Sequence, residues 1–325
     1  VTVNATATSS KSKVRGLGSK DLTVGKNTLP IRVIAEDGSE KIYNINITRK
    51  AGVVSNINIF GKSFKVVDAE PTLTTSSNNT SDASGLYASN DTNTGKPTYY
   101  FRGNVTNNYV KFVGQTWRIV RVNEDGTIRI IMQDGINSNS KIEFNSNYNN
   151  YTYMYYTNSQ VKSTLESWYQ TNIGSKTNLA SSVASGNYYC EQAKTKQSDS
   201  WTSGSATMTT YSKYTPDFKC SSDGNNKGVV NASVGLLNYD EVVYAGGYYE
   251  KSNNSYYLYN NTNFWTMSPT GFESSRSSVW VVITAGDIDN RYVNNITAVR
   301  PVLNLTANTQ ISDGNGTKEN PFVVE

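Results

Sequence analysis

Asp287 with Asp289, and the adjacent Asp240 with Glu241, are carboxylates spaced closely enough for paired acid–base work, one protonated and one ionised, as in glycoside hydrolysis. Neighbouring carboxylates are common, however, and nothing around these pairs marks a raised pKa. The chain contains no histidine, which removes the commonest general base and with it Ser-His-Asp and Cys-His catalysis. Its two cysteines, Cys190 and Cys220, are thirty residues apart in a polar stretch with no further thiol or imidazole to complete a zinc site. They read as one disulfide pinning a long excursion, worth about 3 kcal/mol where geometry permits; two unpaired thiols in a reducing compartment is the other reading. "GLGSK" at 16 to 20 lacks the strand–loop–helix setting of a phosphate loop. "DGNGTKE" places Asp313, Asn315, Thr317 and Glu319 at alternate positions, as in an oxygen-ligand loop, and "DIDN" at 287 to 290 could serve similarly. Neither completes an EF-hand pattern, so a structural turn is expected, no cofactor is required, and calcium at Asp313, Asn315 and Thr317 is the weaker alternative.

These residues must be held by a scaffold whose type the composition indicates. The 325 residues are 36% hydrophobic and 17% charged, with 23 Tyr and an excess of Asn, Ser and Thr. Tyr, Val, Ile and Thr favour strands while Asn, Gly and Ser favour turns, so a loop-rich β protein with an uncharged polar surface is expected. The net charge of +4 is spread along the chain without a Lys/Arg run, so the electrostatic footprint of nucleic acid is missing. No apolar stretch reaches the roughly 18 residues that a membrane-spanning helix needs.

Residues 1 to 50 alternate like half-buried strands in "VTVNATAT", "TLPIRVIA" and "KIYNINIT", and "EDGSE" supplies the Asp-Gly of a tight hairpin. Residues 51 to 84 hold a hairpin-like "INIFGKSFKVV" and a polar linker tract at 72 to 84. Beyond lie strands over 109 to 113, 116 to 122 and 127 to 133, then a helix over 159 to 173 capped by Ser159, with Val161, Leu165, Trp168 and Ile173 on one stripe. A short helix over 238 to 247 follows, capped by Asn238 and ended by Gly246-Gly247, with Asp240 and Glu241 at its positive end. Strands are expected again at 256 to 259, 264 to 269, 278 to 285 and in "AVRPVLNL", where Pro301 confines the run to an edge, a strand start or a bulge.

The first fifty residues resemble the later half of a cadherin-like β-sandwich domain of bacterial surface proteins. Half a sandwich leaves Val3, Ile31, Val33, Ile45 and Ile47 without a facing sheet, to be completed by upstream residues or by a neighbouring chain. "WRIVRVNEDGTIRII", "VGLLNYDEVVYAGG", "FWTMSPTGF", "AVRPVLNL" and "ISDGNGTKENPFVV" together resemble a domain of exported proteins from Gram-positive and wall-less bacteria, similar to the C-type-lectin-like fold of formylglycine-generating enzymes. The likeness covers about residues 84 to 325. The resemblance implies a partial sandwich at 1 to 50, a hairpin and linker at 51 to 84, and a lectin-like domain at 85 to 325. The fold class expected is mainly β with α+β character, with a small twisted sheet, two short helices and long loops.

Within that fold Arg300 and Pro301 are expected to be structural, as is Trp265, and Arg300 should pair with Asp240 or Glu241 because a buried unpaired charge is costly. The interval 270 to 295 mixes aromatic, Arg and adaptable polar residues on expected loops, the composition of a recognition surface. Phe272, Arg276, Asp287, Asp289, Asn290, Arg291, Tyr292 and Asn294 are its candidate contacts. The cysteines lie outside the late strands where the formylglycine-generating relatives keep their catalytic pair, so no enzymatic activity is expected. The expectation is an extracellular, cell-surface binding or adhesion module for a glycan or a host or neighbour protein. The alternative is a filament or surface-layer subunit self-associating through residues 1 to 50.

Overall fold

Asp37-Gly38 reverses the chain between the two longest strands near its start, with Gly38 at φ +84° and the Asp37 carboxylate accepting from the Ser39 N–H at 2.9 Å. The structure is a computed structural model, and it describes residues 1–23, 25–49, 53–69, 71, 73, 83–186, 188–192, 216–220 and 228–324. The chain is mainly β, with several sheets and a few short helices. It divides into two compact units, Val1–Val53 with Asn90–Pro97 and Val54–Ser89 with Thr98–Glu325.

The first unit contains β1 (Thr2–Val3), β2 (Lys13–Arg15), β3 (Gly18–Ser19), β4 (Gly25–Ile34) and β5 (Glu40–Arg49). β4 and β5 pair antiparallel over their full ten-residue lengths, in a three-stranded sheet of order β2-β4-β5. The strand expected over residues 1 to 8 shrinks to Thr2–Val3, paired with Gly18–Ser19, because only Val3 finds a buried position there. Of the five apolar residues expected to lack cover, Val3 and Ile31 are buried, Val33 and Ile47 are half-buried, and Ile45 is exposed.

The second unit starts with the hairpin β6 (Asn56–Ile59) and β7 (Lys62–Lys65), whose Ile59 and Phe64, with Val66 just beyond, belong to the main core. The segment read as hairpin and linker thus contributes its hairpin to this unit, while most of the polar tract at 72 to 84 lies outside the described residues. β8 (Gly85–Ser89), β9 (Thr98–Arg102), β10 (Tyr109–Phe112), β11 (Gln115–Val122) and β12 (Ile128–Met132) follow, then β13 (Lys141–Glu143), β14 (Tyr189–Cys190) and β15 (Val229–Val230). β16 (Phe264–Glu273), β17 (Arg276–Val282), β18 (Ile288–Tyr292), β19 (Ile296–Ala298), β20 (Val302–Leu305), β21 (Ile311–Asp313) and β22 (Phe322–Val324) complete the strands. An eight-stranded sheet runs β20-β12-β11-β10-β22-β21, with β9 also on β11 and β8 on β9; a five-stranded sheet runs β13-β19-β16-β17-β18.

One apolar core joins these sheets, and it dictates which residues may be polar. β12 is buried along its whole length, as "IRIIM" requires of a strand covered on both faces. β16 is buried from Phe264 to Phe272; of its polar side chains, Thr266 Oγ1 donates to the Trp280 carbonyl at 2.7 Å and Ser268 Oγ accepts from the Tyr239 N–H at 2.9 Å, while the buried Thr270 hydroxyl has no hydrogen-bond partner among the described residues. Pro269 sits where the β16–β17 register shifts, the kind of irregularity at which a strand tolerates proline. Residues 256 to 259, expected as a strand, form a buried turn instead; Tyr257 N–H bonds to the Gly103 carbonyl at 3.0 Å, so β-type residues here serve packing rather than a ladder.

Two helices carry the expected caps. α1 (Gln160–Tyr169) begins at Ser159, whose hydroxyl accepts from the Lys162 N–H at 3.0 Å. α2 (Tyr239–Ala245) has a reciprocal capping box between Asn238 and Glu241 and ends at Gly246 with φ +119°. Among the described residues no helix is long and apolar enough to cross a membrane.

Candidate functional site

The interval 270 to 295, expected as loops around a strand at 278 to 285, is a strand meander, β16–β17–β18, joined by short turns. Its alternation decides which side chains can reach a ligand. Phe272, expected as a contact, is 4% exposed and packs in the core, so it is removed from the surface set. Trp280 is buried against Tyr239 at 4.9 Å and Tyr249 at 5.3 Å.

Register places Tyr292 opposite Ser278, two residues from Arg276 on the same face, and the Arg276 guanidinium lies 5.0 Å from the Tyr292 ring centroid. Tyr292 is 38% exposed. Asp289 and Arg291 alternate to the opposite face, where they form an ion pair at 3.1 Å with both side chains partly exposed. β18 is the outermost strand of its sheet. The predicted residues therefore do not form one plane: the strand edge carries an Arg–Tyr pair on one side and an Asp–Arg pair on the other. Asn290, whose N–H bonds to Asp289 Oδ1 at 2.8 Å, shares the side of Tyr292, and Asn294 is half-buried in the following turn. Ile288, at the start of β18, is covered by Tyr248 and Glu250 through backbone bonds of 2.7 and 3.1 Å.

Two features of this edge are not what packing alone would select. Ser274 and Ser275 turn β16 into β17 with φ of 48° and 61°, left-handed conformations that Gly or Asn would occupy with less strain. Burial raises the pKa of Asp287, and the neighbouring charge of Asp289 raises it further; its buried Oδ1 has no hydrogen-bond partner among the described residues.

Arg300 is buried, and its pairing differs from the expectation. Its guanidinium donates to the carbonyls of Met132 at 2.9 Å and Leu258 at 2.7 Å and lies 4.6 Å from the Phe264 ring centroid. Burial lowers its pKa to about 10, so it remains charged at neutral pH. The carboxylate proposed for it belongs to other arginines: Glu241 bonds to Arg129 and, at 3.0 Å, to Arg121. Burial alone would raise the Glu241 pKa, but the charges of Arg129 and Arg121 outweigh it and hold the carboxyl below its ordinary value. Asp240 is buried in the first turn of α2. Pro301 immediately precedes β20, the strand-start position its ring permits. Trp265 is buried and bonds through Nε1 to the Ile142 carbonyl at 3.0 Å.

Cys190 and Cys220 form a disulfide, with Cα atoms 5.8 Å apart. Most of the chain it closes lies outside the described residues. In the 313 to 319 segment, Asp313 Oδ1 accepts from the Gly314 N–H at 2.7 Å and Asn315 Oδ1 from the Thr317 N–H at 3.1 Å. Thr317 Oγ1 accepts from the Asn320 N–H, so these oxygens bind the backbone of a turn between β21 and β22.

A groove along α1 escaped the sequence reading. Its larger part, about 530 Å³, is bordered by Gln160, Ser163, Ser167, Trp168, Asn172 and, from the facing segment, Asn137. A second part of about 310 Å³ adds Gln115 and Asp134 beside the same Trp168, Asn137 and Asn172. Helical spacing places Trp168 on the apolar stripe, yet Tyr169 takes the buried position and Trp168 is only half-buried. A signal was present: Gln160, Ser163, Thr164, Ser167, Thr171 and Asn172 recur at three- and four-residue intervals, a neutral polar stripe converging on Trp168.

No protein-family model matches the chain, and no similar curated protein or solved structure was found for it.

Proposed function

We propose that this chain is a non-catalytic recognition module of an extracellular, cell-surface protein, and that it binds a protein ligand along the β18 edge. The observation that carries the reading is the Arg276–Tyr292 pair, an exposed aromatic ring with an arginine held over it on a strand fixed by the core. Arg and Tyr are enriched among the residues that dominate protein interfaces, and a rigid strand holds them ready for contact. The unpartnered Oδ1 of Asp287 and the strained Ser274–Ser275 turn support the same edge, since such features persist where function favours them over stability. Export accords with the disulfide, a bond that persists in oxidising compartments. The resemblance to cadherin-like sandwich and C-type-lectin-like domains of exported bacterial proteins rests on the sequence motifs and supports the same placement. The test is saturable binding to immobilised extracellular-matrix proteins by the intact chain, abolished by exchanging Asp289–Tyr292 for Ser and Thr. Binding that survives the exchange, or no binding by the intact chain, refutes the assignment.

A second reading, a filament or surface-layer subunit, is favoured by β5. This ten-residue strand ends its sheet and exposes Ile42 and Tyr43 by half or more, with Ile45 beside them. A long edge with apolar side chains is a template for a strand from another chain. The chain should then form assemblies in light scattering that dissociate when Ile42 and Tyr43 become Lys; a monomer at high concentration excludes this reading.

A further inference from the structure

We propose that the groove along α1 is a binding site for an uncharged saccharide, separate from the β18 edge. Trp168 supplies the platform. It is half-buried, and Trp117 backs it at a centroid distance of 6.2 Å with the planes tilted by 50°. Trp117 is itself fixed by an Nε1–H bond to the Phe112 carbonyl at 3.0 Å. A partly exposed indole on a rigid backing offers an apolar face to the C–H side of a sugar ring, with little ordering entropy left to lose on binding.

The polar groups around this face divide into used and unused. Thr164 and Thr171 spend their hydroxyls on the carbonyls of Gln160 and Ser167, and Asn172 spends its amide on the Trp168 carbonyl. Gln160, Ser163, Ser167 and Asn137 make no side-chain hydrogen bond among the described residues. Their donors and acceptors face water and match the mixed donor and acceptor character of sugar hydroxyls.

Charge narrows the class. The basic and acidic residues of α1, Lys162 and Glu166, pair with each other at 2.5 Å and do not border the groove. Among the described residues Asp134 is the charged residue at its margin, and no Lys or Arg borders either part. An anionic sugar or a phosphate would meet a carboxylate without a compensating cation, whereas an uncharged ring can donate its hydroxyls to Asp134.

The backbone on both walls departs from ordinary geometry. α1 continues into a π turn over Gln170–Gly174, which carries Thr171 and Asn172 to the groove. Opposite, Asn137, Ser138 and Asn139 take φ of 49°, 56° and 65° in succession; Asn tolerates the left-handed region, but three such residues in a row, one of them Ser, are an unusual run held by the surrounding structure. π turns and strained backbone both concentrate where a structure positions groups for a ligand.

The test uses the intact chain with chitotriose, lactose and mannobiose, and sialyllactose as the charged control, read by saturation-transfer NMR and by tryptophan emission. At least one uncharged saccharide should bind and shift the emission, sialyllactose should bind at least tenfold more weakly than lactose if lactose is the ligand, and Trp168→Ala should abolish binding. Because Trp168 also packs on Trp117, the exposed Ser167→Arg is the second variant; it should keep the melting temperature and weaken binding at least tenfold. Failure of all three uncharged sugars to bind, or wild-type affinity in a folded Ser167→Arg, overturns the proposal. Neither result bears on protein binding at β18, so the two readings fail independently.

Discussion

Arginine plays opposite parts in two regions of this molecule. Beneath the eight-stranded sheet, Arg129 and Arg300 are fully buried and Arg121 nearly so, and their guanidinium groups tie strands to α2 and to the 256 to 259 turn. At the β18 edge, Arg291 of β18 and Arg276 of the adjoining β17 are partly or fully exposed, and their side-chain contacts among the described residues are a tyrosine face and one carboxylate with its neighbouring backbone. The same side chain is architecture where most of its donors meet carbonyl, amide, hydroxyl or buried carboxylate oxygens, although Arg300 Nη2 has no partner among the described residues, and it is available for contact where water covers it. Sequence composition does not distinguish the two. Burial and partner do.

The widest separation between the regions should come from Glu241. Glu241→Ala leaves Arg129 and Arg121 without their carboxylate, and chemical denaturation should show a loss of about 3–5 kcal/mol. The sign of its pH dependence follows from its depressed pKa. The Glu241 contribution is fully present above the ordinary glutamate value of 4.5 and is lost as pH falls through the lower folded value. An acid unfolding limb that disappears in Glu241→Gln would mark this group as its source. Next is the disulfide: Cys190→Ser with Cys220→Ser should lower stability by about 3 kcal/mol, with the wild type falling equally under reductant.

Arg300→Met keeps volume but leaves the Met132 and Leu258 carbonyls short of a donor, for a loss of about 2 kcal/mol. A Tm unchanged by this substitution would move Arg300 out of the frame. At the other end, Arg276→Ala should change stability by less than about 0.5 kcal/mol, since exposed residues away from caps and cores rarely do more. Asp287→Asn should raise Tm by about 1 °C, because it removes a partly desolvated carboxylate beside Asp289, an effect that solvent screening keeps small. A fall in Tm would show that the carboxylate is structurally required.

What the sequence disclosed follows the range of the interactions. Asn238, Glu241 and Gly246 define α2 within nine residues, and Asp37-Gly38 defines a hairpin within two, so these elements were legible from local spacing. The missing N–H of Pro301 limits it to an edge, a strand start or a bulge, and the structure places it at the second of these. The partners of Arg300 were not legible. They lie 168 and 42 residues away, and a carbonyl leaves no mark in side-chain spelling. Within 270 to 295 the apolar run at 278 to 285 is legible as a strand and lies on β17, whereas the polar residues of β18 suit loops and only their pairing with β17 supplies the ladder that makes them a strand. Burial of Phe272 goes with its place in β16 opposite Ser277 of β17, and the division of the set between two faces comes from the β17–β18 ladder. The groove stayed hidden for a related reason. Its helical wall was written in the sequence, but the left-handed run at Asn137–Asn139 and the π turn that complete it are tertiary outcomes.

The central claim, that the exposed arginine edge recognises a protein while the buried arginines only hold it, is met most directly by one binding experiment. Wild type and Arg276→Ala/Tyr292→Ala are titrated against a panel of immobilised extracellular-matrix proteins, with Tm measured on both. The account predicts saturable wild-type binding to a panel member, weakened at least tenfold in the double variant at unchanged Tm. Equal binding by the two proteins, or no binding by the wild type, contradicts it.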